Sequence, residues 1–212
     1  MEGQGYEQNY QGLIKELKGC DFQESAKRLG LKALENGAEA SFMGRDFIIT
    51  EDGVVAKDGL DSNPNYRSIL IHYVLSKGEG EPGEEFLSLF QLPGVLRSRR
   101  QQNWKTLLDG PLFEAFGDGH HKFAPAAEAL GGSYLGHHEA GGHLWEFQVL
   151  PKIRMRLVFE EADDEFPMQV RSMFDSRATD FLGFECLAFL HGCLVHALTH
   201  SPGGSSDQAT KI

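Results

Sequence analysis

WEFQVLPKIRMRLVF, residues 145–159, alternates apolar and polar side chains with a period of two. Trp145, Phe147, Val149, Ile153, Met155, Leu157 and Phe159 carry odd numbers; Glu146, Gln148, Lys152, Arg154 and Arg156 carry even ones. Successive side chains of a strand point to opposite faces, so this ribbon buries one face and wets the other. Pro151 interrupts it. A plain two-residue hairpin at Pro151-Lys152 would pair Val149 with Arg154 and mix the faces, whereas a bulge, a bend or an odd-length turn keeps the apolar face whole. Upstream, SYLGHHEAGGHLW (133–145) reads as the hairpin partner, with Gly141-Gly142 at its turn.

Downstream, EEADDEFPMQVRSMFD (160–175) reads as a short helix near PMQVRSMF. Phe166, Val170, Met173 and Phe174 would form its inner face, and Asp163, Asp164 or Glu165 would cap its start beside Pro167. Asp175 would cap a long helix from about Ala178 to His200. That segment is apolar nearly all round, which suits the centre of a core.

The first half alternates period. Tyr10, Leu13, Ile14 and Leu17 form the stripe of an amphipathic helix, and FQESAKRL (22–29) is a second helix between Asp21 and Gly30. Residues 38–59 read as a β-meander turning at Gly44 and at Glu51-Asp52-Gly53. Asn63 and Pro64 start a helix that buries Tyr66, Ile69, Leu70, Tyr73 and Val74. FLSLFQLP (86–93) is a short strand, and FAPAAEAL (123–130) is a helix ending at Gly131-Gly132. Strands and helices mix without a βαβ rhythm. The expected fold is α+β: an antiparallel, meander-type sheet packed against several helices, with the apolar C-terminal helix in the core. One domain over 1–200 is expected, followed by a flexible tail at 201–212.

The chain has 212 residues and a formal net charge of -11. Such acidity repels phosphate backbones and anionic lipid, which argues against general nucleic-acid or membrane-surface binding. No apolar stretch approaches the roughly 18 residues of a membrane span. The polar, acidic start does not read as a signal peptide. The 3 cysteines, Cys20, Cys186 and Cys193, are too few and odd in number for a disulfide framework. A cytoplasmic protein with reduced thiols is expected.

Several clusters could carry chemistry. Gly78, Gly80 and Gly83 have the G-x-G-x-x-G spacing, but they follow a helix, and Glu79, Glu81, Glu84 and Glu85 would repel a nucleotide's phosphates. Arg97, Arg99, Arg100 and Lys105 form the densest basic run, read as a solvated helix face ahead of a site where bidentate arginines hold a carboxylate or phosphate. HHEAGGH (137–143) has the letters of a zinc protease motif without its helical spacing. His137, Glu139 and His143 remain candidates for a loose surface metal site, against a plainer reading as solvated histidines; His120-His121 is a weaker signal. On the last helix Cys186, Cys193, His196 and His200 share a face within about 80°, a candidate soft-metal set. The plainer reading makes both thiols small core residues. Asp164, Glu165 and Asp175 are the candidate catalytic carboxylates, for hydrolysis or proton transfer with or without a divalent metal. Capping is the plainer reading there too. No cofactor is expected in this chain.

ESAKRLGL (24–31), FMGRDFII (42–49), FAPAAEALGGSYL (123–135), VLPKIRMRLVFEEADDEFPMQVRSMFD (149–175) and FLGFECLAFL (181–190) together resemble an uncharacterised prokaryotic family, domain of unknown function 3786. The resemblance runs from about Tyr10 to Leu198. Its most specific block matches Asp164, Glu165, Phe166, Pro167, Phe174 and Asp175. The family is typical of anaerobes, and some members look like fusions to a cysteine-rich iron–sulfur domain of the kind seen beside corrinoid proteins. The resemblance therefore implies a setting near anaerobic redox or one-carbon metabolism. The sparse catalytic signatures, together with that implied setting, point to a non-catalytic accessory protein that binds a ligand or an iron–sulfur or corrinoid protein partner. This chain lacks the cysteine-rich segment, so any cluster would sit on that partner.

Overall fold

The computed structural model describes residues 2–60, 63–94 and 110–200. The basic run at Arg97–Lys105 and the tail at 201–212 lie outside the described residues. In chain order, α1 (Glu2–Leu17) and α2 (Phe22–Leu29) precede a meander of β1 (Lys32–Leu34), β2 (Gly37–Phe42), β3 (Arg45–Thr50) and β4 (Gly53–Ala56). Then come α3 (Pro64–Leu75), β5 (Phe86–Leu87), a 3-10 turn at Leu89–Gln91, α4 (110–116) and α5 (His120–Ala129). The chain continues with β6 (Ser133–His137), β7 (His143–Leu150), β8 (Ile153–Glu160), β9 (Gln169–Asp175), α6 (Ala178–Phe181) and α7 (Phe184–Thr199). The fold is α+β with antiparallel sheets. The described residues form two: β1-β2-β3-β4, and β5-β9-β8-β7-β6.

The alternating ribbon is the β7–β8 hairpin, and of the bulge, bend or odd-length turn that its pattern allowed, a bulge keeps its faces apart. The turn is two residues, Pro151-Lys152, with Leu150 opposite Ile153. Val149 is then skipped. Gln148 faces Arg154, Phe147 faces Met155 and Trp145 faces Leu157, so apolar meets apolar from there on. Trp145, Phe147, Val149, Ile153, Met155, Leu157 and Phe159 are all buried.

Local signals place the helices. Asp21 accepts from the Glu24 N–H at 3.0 Å at the start of α2, and Gly30 ends it in the left-handed conformation at φ 72°. Asn63 caps α3 through the Asn65 N–H, with Pro64 in the first turn. α3 packs on β2 and β4 of the first sheet and on α7, which also meets α5 and α6. One continuous apolar cluster joins both sheets and these helices.

Two expectations need correction. PMQVRSMF is not a helix: Gln169–Asp175 is β9, paired with β8 from Glu160↔Gln169 to Met155↔Phe174. Val170 and Phe174 fit a helical stripe and a strand equally well, and the open edge of β8 decides, since its backbone groups need partners. Phe166, assigned to an inner helical face, is exposed. The last helix is also not continuous. Leu182 and Gly183 are both extended and separate α6 from α7.

The loop between α3 and β5 carries the three spaced glycines, and their role is close packing. A Cβ on Gly78 would strike the Asp180 carbonyl, and one on Gly83 the Ser176 hydroxyl. The loop wraps Arg177, whose guanidinium donates to the carbonyls of Glu79 at 2.8 Å and Glu81 at 3.1 Å. Asp175 locks the same region from inside. Fully buried, it accepts from three backbone amides: Gly83 at 2.9 Å, Arg154 at 2.8 Å and Arg177 at 3.1 Å.

Asp175→Ala would leave those amides without their acceptor. It is expected to lower unfolding free energy by about 3–4 kcal/mol in denaturant titrations, and Asp175→Asn, which keeps one acceptor oxygen, by about half as much. Equal stability of Asp175→Ala and the parent chain would rule out the locking role.

Candidate functional site

At the end of the five-stranded sheet, the β6–β7 hairpin turns at Gly141 and Gly142, both with positive φ (95° and 84°). The register sets His137 directly across from His143, and His143 across from Phe159 on β8. His143 continues the odd-numbered series that buries Trp145, so it lies at the rim of the inner face. His120 arrives from elsewhere. It is the first residue of α5, after Gly119 at φ 125°, and its backbone N–H donates to Glu161 Oε1 at 2.9 Å.

These segments assemble a cluster of rings. His120 stacks on His143 with centroids 3.6 Å apart and planes 5° off parallel. His137 lies 4.7 Å from His143. The Trp145 indole N–H donates to His120 Nε2 at 2.9 Å, and the Tyr134 hydroxyl meets His143 Nδ1 at 3.1 Å. Phe123 and Phe159 pack beneath, within about 6 Å of the His120 ring. An indole can only donate, so Nε2 of His120 carries a lone pair and the neutral ring holds its proton on Nδ1. Burial, the neighbouring His143, and then His137 and His121 hold the His120 pKa below the usual imidazole value, against the pull of Glu161.

The arrangement suits stacking and hydrogen bonding more than ligation. Metal ligands must aim ring nitrogens at one point, and parallel stacked imidazoles aim theirs into separate planes. Among the described residues no group of three or more His, Cys, Asp or Glu is placed to hold a metal ion. Glu139 lies exposed in the turn between His137 and His143.

The other candidates are dispersed. Asp163 accepts from the Glu165 and Phe166 amides at 2.9 and 2.7 Å, an Asx-turn that starts no helix. Asp164 and Glu165 are exposed in that loop, before β9, whereas Asp175 lies buried at the strand's far end, about 20 Å along it by strand rise. The expected carboxylate site is therefore not assembled. On α7, burial pushes the Cys193 thiol up to about 12 and the Cys186 thiol up to about 11, so both are protonated at neutral pH. His196 and His200 are exposed and stacked 4.1 Å apart at 11°, with a His200 ring nitrogen 2.9 Å from the His196 carbonyl. A cleft of about 650 Å³ between α2 and the turns of the meander is lined by Asp21, Glu35, Glu51 and Asp52 among others; Asp21 is already engaged as the α2 cap.

Sequence reasoning gives no signal for Tyr134 and only the weak one of the His120-His121 pair for His120. The parity that places His143 on the inner face was available, but the contact across 25 residues to Trp145 was not.

A family model described as domain of unknown function (DUF3786) matches residues 21–197. Neither the curated proteins nor the solved structures give a match.

His191 is a second titratable group inside the fold, buried on α7 with its ring at 88° to that of Phe174. Burial depresses its pKa from 6.5 to about 4. The unfolded chain then holds the extra proton, so stability falls as pH drops below 6.5 and the loss levels off below about 4. Between pH 7 and 5 this group should cost about 2 kcal/mol of unfolding free energy. His191→Leu should remove that part of the pH dependence, and an unchanged slope would show that other groups supply it.

Proposed function

We propose that this chain, which belongs to the domain of unknown function 3786 family, is a non-catalytic binding protein. It serves as a cytoplasmic accessory in anaerobic redox or one-carbon metabolism, with an iron–sulfur or corrinoid protein as its partner. One observation carries the binding part of this reading: the ring-rich end of the five-stranded sheet. There Tyr134 and Leu135 on the edge strand β6 are each 46% exposed, with Tyr134 packed near the His143 ring and His137 two residues on in the same strand. Exposed aromatic and aliphatic side chains near polar rings, here the exposed His137 and the half-buried His143, are what partner recognition uses. Turnover finds less support. The ring nitrogens facing Trp145 and Tyr134 are occupied by protein hydrogen bonds, and the acidic residues singled out for catalysis are apart or bound to amides. The net charge of -11 favours a partner other than nucleic acid. The metabolic setting rests on the resemblance alone.

The full-length chain, immobilised under anaerobic conditions, should retain a chromophore-bearing protein from an anaerobe's extract, read by iron content and visible absorbance of the eluate. The double variant Tyr134→Ser, Leu135→Ser should retain about tenfold less. Equal retention by both chains, or an eluate without iron or corrinoid absorbance, would count against the proposal.

A further inference from the structure

We propose that the hydrogen bond from Trp145 to His120 is an acid-released latch that holds the first side chain of α5 against the five-stranded sheet. This does not depend on the binding reading above. The indole N–H demands a lone pair at Nε2. A proton there removes the acceptor and sets a second N–H against the first. The resulting imidazolium also sits at the first position of α5, where the helix dipole is positive, and face to face with another imidazole at 3.6 Å.

The groups around His120 divide in sign. α5 itself contributes His121 and Lys122, and Lys122 pairs with Asp118 just before the helix. β6 contributes His137 and the neutral Tyr134; β7 contributes His143. Phe123 and Phe159, from α5 and β8, are uncharged. Glu161, from the loop after β8, opposes release, because it favours the charged ring and binds the His120 backbone N–H. Its backbone bond survives protonation of the side chain, so α5 stays tethered while its first side chain lets go. Release uncovers the indole edge of Trp145, which is 2% exposed in the latched form. The rings that face the hairpin turn therefore rearrange without unfolding the sheet beneath them.

Trp145 reports the latch directly. The full-length Trp104→Phe chain leaves Trp145 as the single tryptophan of the 2 in the sequence. Its emission should shift to longer wavelength as pH falls from about 8 to about 5. The midpoint should lie below the ordinary imidazole value of 6.5, with the far-UV circular dichroism unchanged. His120→Gln, which keeps an acceptor oxygen but cannot titrate, should hold the emission flat over that range. An unshifted emission in the parent, a shift that persists in His120→Gln, or a loss of dichroism at the same midpoint would each overturn the latch. If Trp104→Phe fails to fold, the indole N–H resonances of the unsubstituted chain read the same transition. One of the two should move with acid, and neither moving overturns the proposal equally.

Discussion

A single carboxylate, Asp175, ties three separate parts of the backbone together: the glycine loop at Gly83, the start of β8 at Arg154 and the turn into α6 at Arg177. Taking a carboxylate out of water is costly, and only a full set of donors offsets the cost. The amides supply that set, and charge-assisted bonds of this kind contribute about 1.5–3 kcal/mol each. Glycine lets the loop close in at two points, since Gly78 and Gly83 approach Asp180 and Ser176 too closely for any Cβ. The acid at the end of β9 is therefore a structural anchor, and the glycines are the surface on which it closes.

The charged faces follow from the same geometry. On the outer side of the hairpin, Glu146 faces Arg156 across the ladder and bonds it at 2.8 Å, with Arg156 stacked on Phe86 at 3.8 Å. Opposite charges directly across a strand pair stabilise the register, and the arginine stem covers apolar area while its head stays wet. The inner side has no such charges until its rim, where the imidazole cluster begins. Histidine suits that place because it is neutral enough to be half-buried and polar enough to bond Trp145 and Tyr134.

Burial and stacking shape the chemistry open to this cluster. Thiols pushed up by burial, and imidazoles arranged in parallel pairs on both α5–β7 and α7, are poor metal ligands as they stand. The same stacking makes the rings sensitive to protonation, since a cation placed on one ring is felt by its neighbour. The exposed Tyr134 lies against rings whose hydrogen bonds depend on which nitrogen carries a proton, an arrangement on which both proposals draw.

The amino-acid sequence by itself determined what depends on neighbours a few residues apart. The period-two ribbon, its interruption at Pro151, the Asp21 and Asn63 caps, the meander and the Gly141-Gly142 turn are all local consequences of side-chain direction and backbone freedom. It left undecided whatever two local solutions satisfy equally. Val170, Met173 and Phe174 suit one face of a helix, and Val170 and Phe174 suit one face of a strand. The open edge of β8 broke the tie through backbone hydrogen bonds that no local pattern encodes. His120 illustrates the same limit for the site: nothing near residue 120 announces Trp145, Tyr134 or His143. Only the packing of α5 over the sheet brings a lone pair to an indole N–H, because hydrogen bonds and ring contacts act over a few ångströms in space, whatever the separation along the chain.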